Sequence, residues 1–188
     1  MFSCLRRTSL STWRETLESA FKDIGDISGF TVFDAGPEGF ASRFLAERIG
    51  DGRIIGVNIW LGAYKAVREN VGELMDKVVL IKDDMRHMDY LKDNFFDLVM
   101  SYATIESIES LTPGGTLPIL RQFYRILKQN GRFLAIEHPP LQEVKPLDEA
   151  QGYQLKLIEI HDQIYRPVNW IALEPSQLSN MLRKTGFE

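Results

Sequence analysis

The chain has 188 residues, 44% of them hydrophobic, enough for one globular domain with a core and too few for two comfortable ones. Its net charge is −4, with Lys and Arg scattered rather than gathered in a stripe, so no nucleic-acid partner is expected. Cys4 is the only cysteine, which excludes an internal disulfide and a thiol-based zinc site; no metal is expected, and a reducing, cytoplasmic compartment fits.

At the amino terminus Ser9, Ser11, Thr12 and Arg14 stand where a signal peptide needs an uninterrupted apolar stretch. Thr12-Trp13-Arg14-Glu15 has the form of a capping box, and Trp13, Leu17, Phe21 and Ile24 recur at helical spacing, so residues 1–25 hold a leading helix that ends near Gly25. The period then switches repeatedly. Phe30 to Phe33 reads as a strand, Phe40 to Ile49 as a helix, and Ile54 to Val57 as the second strand after the Gly50-Asp51-Gly52 turn. A helix over Leu61 to Val71 leads to strands at Val78 to Ile81 and Phe96 to Met100. A further helix over Leu117 to Leu127 stops at Asn130-Gly131 and leads to a fifth strand, Arg132 to Ile136. These apolar runs are far shorter than the roughly 20 residues of a membrane span, so a soluble protein without membrane contact is expected.

Strands separated by helices of about 10 residues imply right-handed crossovers and an α/β, doubly wound, mainly parallel sheet covered on both faces. After Pro139-Pro140 the alternation stops, and residues 141–170 read as a helical insertion or lid within the single domain 1–188. Pro175 opens a last amphipathic stripe, Leu178, Met181 and Leu182, that ends at Gly186. Glu106 and Glu109 read as a solvated helix face.

Candidate ligand groups gather at strand ends. Asp34-Ala35-Gly36-Pro37-Glu38-Gly39 joins the first strand to a helix. It reads either as a ligand-binding loop, whose glycines admit close backbone approach, or as a plain turn capped by Asp34. Asn58 closes the second strand about 20 residues after that loop, where doubly wound folds hold a ribose. Asp84 follows the third strand, where a carboxylate can accept from an adenine amine, and Ser101-Tyr102 ends the fourth.

In order and spacing, residues 30 to 137 resemble the core of the class I S-adenosylmethionine-dependent methyltransferases, small-molecule type. Asp34-Ala35-Gly36 resembles the family's acidic-x-Gly opening. Asp84-Met85 through Phe96-Asp97-Leu98-Val99 resembles its third-strand Asp and later Phe-Asp-x-Val. Leu127-Lys128-Gln129-Asn130-Gly131-Arg132 resembles the lead into the fifth strand, and Lys184-Thr185-Gly186-Phe187 a late Ala-Gly-Phe.

The resemblance implies a Rossmann-like methyltransferase fold and S-adenosylmethionine as cofactor. It places the methionine end against Asp34, Ala35 and Gly36, the ribose at Asn58, adenine between Ile59, Asp84 and the Met85 backbone, and the sulfonium above Ser101. Tyr102, Glu137 and His138 are candidates for binding a small-molecule methyl acceptor, with His138 also able to serve as a base. The sequence departs from the family at Glu38 and Phe40, where glycines are expected, and at Asn58, where an acid would accept both ribose hydroxyls. The family fold continues past its Gly-Phe with two more strands. A sheet of about five parallel strands is therefore expected here, its last edge open, covered by the insertion or paired with another copy as a homo-oligomer. A nicotinamide oxidoreductase would need a G-x-G-x-x-G fingerprint that is not present around Gly36. The other rival is a non-catalytic methyltransferase-like partner or regulatory domain, which Glu38 and Asn58 would suit.

Overall fold

The computed structural model describes residues 2–6, 13–137 and 173–187 and the single positions 149, 153 and 156. In chain order the elements are β1 (Phe2–Arg6), α1 (Trp13–Ile24), β2 (Thr31–Ala35), α2 (Gly39–Arg48), β3 (Arg53–Asn58), α3 (Leu61–Val71), β4 (Val78–Lys82) and β5 (Phe96–Tyr102). They continue with α4 (Ile105–Leu111), α5 (Thr116–Ile126), β6 (Leu127–Glu137) and α6 (Pro175–Thr185). The expected insertion at 141–170 lies, three isolated positions apart, outside the described residues.

Every strand pairing is parallel, and the sheet order is β1-β6-β5-β2-β3-β4. Because both faces are covered, the central strands are apolar almost throughout, with alternate residues entering different cores. Val32, Leu98, Met100, Leu134 and Ile136 join Leu17, Phe21, Phe44, Leu45 and Val67 of α1, α2 and α3. Phe33, Val99, Phe133 and Ala135 join Ile119, Leu120, Phe123, Leu178 and Leu182 of α5 and α6 on the other face. The fold is thus the doubly wound sheet that the alternation implies.

Three features differ from the expectations. The five expected strands are present, but a sixth, β1, pairs along β6 from Phe2↔Phe133 to Arg6↔Glu137, so that edge is occupied by the chain's own amino-terminal segment. The register between β5 and β6 jumps from Phe96↔Leu127 to Leu98↔Arg132, so the expected turn at Asn130-Gly131 bulges out within β6 instead of preceding it. Glu106 and Glu109 are buried rather than solvated. Glu109 accepts from the backbone N–H groups of Gly114 and Thr116 at 2.8 and 3.2 Å, which replaces the water that it loses.

Candidate active site

Strand order reverses between β2 and β5, and a doubly wound sheet binds ligands in the crevice beyond the carboxyl ends of its strands at that switch point. The chain turns sharply after β2 because Gly36 adopts φ +65°, with its N–H donating to the Val57 carbonyl at 3.0 Å. Asp34 is fully buried, and its Oδ2 accepts from the Ser42 hydroxyl of α2 at 2.7 Å. Burial pushes its carboxyl up to about 7, against the Ser42 bond and with some help from nearby Glu38. Asp34 therefore braces the loop from inside. Pro37 is buried, whereas Glu38, the departure in the loop, is exposed immediately before α2.

The ends of β3 and β4 carry the next groups. Asn58 Oδ1 accepts from the Trp60 N–H at 2.9 Å; among the described residues its amide nitrogen has no protein partner. Ile59 beside it is 54% exposed, a free apolar surface at the strand end. Asp84 is gripped by Arg86, whose Nε donates to both carboxylate oxygens at 3.0 Å and whose Nη2 and backbone N–H add further bonds. That grip, outweighing burial, holds the Asp84 carboxyl below the usual carboxylate range. The Met85 side chain is buried in the core, so only its backbone can meet a ligand.

At the ends of β5 and β6, Ser101 is fully buried and donates to Glu137 Oε1 at 3.0 Å. Glu137 also accepts from the N–H groups of Ile105 and Glu106 at 3.4 and 3.2 Å, which ties the start of α4 to β6. The residue keeps partial exposure but its carboxyl lies inward. Burial, reinforced by the nearby Glu106, raises it to about 8. Tyr102 is buried against Phe40, with ring centroids 5.1 Å apart, so the ring that replaces a family glycine packs into the core. His138 lies outside the described residues.

Two residues absent from the sequence reading complete the site. Thr104 donates to the Ala35 carbonyl at 2.8 Å and fills the space over Gly36, where an added Cβ would stand 2.5 Å from its Oγ1. It is presented by Ala103, whose φ of +52° is rare for a residue with a side chain. Tyr64 reaches the β3 and β4 ends from α3. Neither gave a sequence signal, since a lone Thr or Tyr carries no spacing. A depression of about 390 Å³ at the amino ends of β2 and β5, lined by Ile24, Phe30, Asp97, Lys128 and Arg132, lies at the end of the sheet away from the switch point. Among the described residues no cluster of His, Cys, Asp or Glu could hold a metal ion, and no helix is long and apolar enough to cross a membrane.

A doubly wound sheet with a Gly turn at its switch point and polar groups at the neighbouring strand ends defines a nucleoside-binding α/β domain. The family profile described as a methyltransferase domain matches residues 33–135, more than half of the chain, and the chain belongs to that family. It is an S-adenosylmethionine-dependent methyltransferase, an enzyme, with S-adenosylmethionine as its cofactor. No curated protein matches it. Among solved structures it is similar to a protein of Bacillus halodurans assigned to the methyltransferases, at 18% identity and a TM-score of 0.69, over 93% of this chain and 69% of that one. An S-adenosylmethionine-dependent methyltransferase of Mesorhizobium loti is 17% identical with a TM-score of 0.64, over 91% and 80% of the two chains. Phosphoethanolamine N-methyltransferase 2 of Haemonchus contortus, in complex with phosphomonomethylethanolamine and S-adenosylhomocysteine, is 20% identical with a TM-score of 0.65. It is matched over 95% of this chain and 38% of its own length.

The groups present fit the nucleoside half of the cofactor: a free amide donor at Asn58, an exposed apolar side chain at Ile59 and a carboxylate at Asp84 form one donor and acceptor set across adjacent strand ends. For the methionine half they offer backbone at Ala35 and Gly36, because the Asp34 carboxyl is enclosed.

Proposed function

We propose that the chain transfers a methyl group from S-adenosylmethionine to a small-molecule acceptor in the cytoplasm. The observation that carries this reading is the convergence of the β2, β3 and β5 ends at one switch point. When bound, the cofactor supplies an activated sulfonium, so the protein has mainly to align donor and acceptor and exclude water. Ala35 and Gly36 meet the methionine end through their backbone, while Asp34 keeps the loop in shape through Ser42. Asn58 donates its amide proton to a ribose oxygen, Ile59 packs on adenine, and Asp84 and the Met85 backbone receive the adenine edge, Asp84 sharing its charge with Arg86. Ser101 would serve the sulfonium side of the bound cofactor and orients Glu137 through its hydroxyl. Glu137, whose carboxyl burial raises to about 8, is with Tyr102 and His138 a candidate for the acceptor side. A small acceptor is supported by the Haemonchus contortus structure, which holds one.

Calorimetric titration with S-adenosylmethionine, S-adenosylhomocysteine and NAD tests the reading. Binding of the first two with no measurable affinity for the dinucleotide is expected, and binding of NAD alone would overturn it.

A further inference from the structure

The ladder between β3 and β4 runs from Ile54↔Val78 to Asn58↔Lys82, after which the two chains part. One leads through Ile59 and Trp60 into α3, the other into the Asp83-Asp84 turn. A last rung, from the Asp83 N–H to the Asn58 carbonyl, is stretched to 3.3 Å. At this fork stands Tyr64, from the first turn of α3, only 8% exposed, with its hydroxyl 2.6 Å from the carbonyl of Asn58 and 2.6 Å from that of Ile81. A phenol carries one proton, so two acceptors at this distance share it, and the hydroxyl fixes the separation of the two strands that it spans. Burial, with Asp83 nearby, raises the Tyr64 hydroxyl above its ordinary value, so the proton is retained. The arrangement closes on itself: α3 presents Tyr64, Tyr64 holds the Asn58 carbonyl, and the Asn58 side chain closes the turn that leads into α3 through the Trp60 N–H.

We infer that Tyr64 is a positioning residue for the nucleoside: by bridging the carboxyl ends of β3 and β4 it sets the Asn58 amide and the Asp84 carboxylate at the spacing one ribose and one adenine require. The inference rests on the nucleoside site proposed above. Tyr64 touches no ligand itself, so its effect passes through Asn58 and Asp84 together. It should be felt equally by any ligand that contains the nucleoside, whatever stands at the methionine end.

Tyr64→Phe removes the hydroxyl and keeps the ring in its packing, which a melting curve verifies. Calorimetry at 25 °C with S-adenosylhomocysteine and with 5′-methylthioadenosine, which lacks the amino-acid end, should show both weakened by a similar factor of about fivefold to tenfold, the worth of one hydrogen bond. In the Tyr64→Phe background the loss caused by Asn58→Ala should shrink, because the amide is already misplaced. A lowered melting temperature with unchanged affinities would make Tyr64 a structural residue only and overturn the inference while leaving the nucleoside site intact. Additive losses from the two substitutions would overturn it as well. If the wild-type protein binds neither ligand, the nucleoside site itself fails.

Discussion

Asn58 has one acceptor oxygen, already engaged by the Trp60 N–H, so its unengaged amide donor is the group best placed to meet a ribose. Asn58→Asp keeps an oxygen for the cap and supplies a second, charged one for the ribose hydroxyls. Hydrogen bonds to charged groups are worth roughly 1.5–3 kcal/mol against about 1 for neutral ones, so affinity for S-adenosylhomocysteine should rise by up to about tenfold. Its 2′,3′-dideoxy analogue, measured by the same titration, should gain nothing. If neither affinity changes, Asn58 is a strand-end cap alone. At this scale the sequence was readable where a residue type has few possible tasks at a strand end, as with the Gly36 turn, and misleading where burial depends on partners that no periodic spacing announces. Glu109 looks solvated until the bare backbone N–H groups of Gly114 and Thr116 are folded onto it. Asp34 looks like an open acid until Ser42, eight residues on, is seen to enclose it. Arg86 took Asp84 for the same kind of reason, since ion pairing two residues apart leaves no periodic trace.

The elements themselves were legible because strands buried on both faces must be apolar runs and the helices between them must show a striped face. β1 was not, for Phe2-Ser3-Cys4-Leu5-Arg6 is short and mixed and becomes a strand only through the edge that β6 offers. The contact between the Gly turn and the β5–α4 turn was also invisible, although it joins two elements of the site. Gly36 holds φ +65°, and an added Cβ would lie 2.5 and 2.8 Å from Oγ1 and Cγ2 of Thr104, itself tied to the Ala35 carbonyl. Gly36→Ala should therefore destabilise the fold by about 2–3 kcal/mol, roughly 1–2 from the left-handed backbone and the rest from displacing Thr104. Denaturant titration of Gly36→Ala, Thr104→Ala and the double variant separates the two parts. The double variant should lose clearly less than the sum of the singles, since removing Oγ1 and Cγ2 relieves the crowding and leaves the backbone cost and the lost Thr104 hydrogen bond. Strict additivity would mean that the two turns do not press on each other.

Over the whole molecule, the two enclosed acids give stability an unusual dependence on pH. Asp34 is raised from 3.8 to about 7, chiefly by burial, and Glu137 from 4.5 to about 8, by burial and then by Glu106. A group whose folded value lies above its unfolded one binds more protons when folded. Its contribution is complete below the unfolded value and is lost as pH rises through the folded one. Each acid should thus lower stability by up to about 1.4 kcal/mol per pH unit inside its window, from near 4 to near 7 for Asp34 and from between 4 and 5 to near 8 for Glu137. Asp84 and Glu109 act in the opposite sense. Both are held below the ordinary range, so their contributions are present above their unfolded values and fade as pH falls through the folded ones. The four groups together place maximum stability near pH 4, where the windows of the raised acids open and those of the lowered acids close, with a decline toward pH 8. Urea unfolding at pH 5, 6, 7 and 8 measures that decline directly. Asp34→Asn and Glu137→Gln replace each acid by a neutral amide of the same shape that still offers an acceptor to Ser42 or Ser101, so each variant should lose its share of the slope and the double variant should be nearly flat. A wild-type midpoint that is constant or rising from pH 5 to 8 would mean that both carboxyls ionise as exposed ones do. The enclosure of Asp34 by Ser42 and of Glu137 by Ser101 and the start of α4 would then be looser than the hydrogen bonds at 2.7 and 3.0 Å indicate.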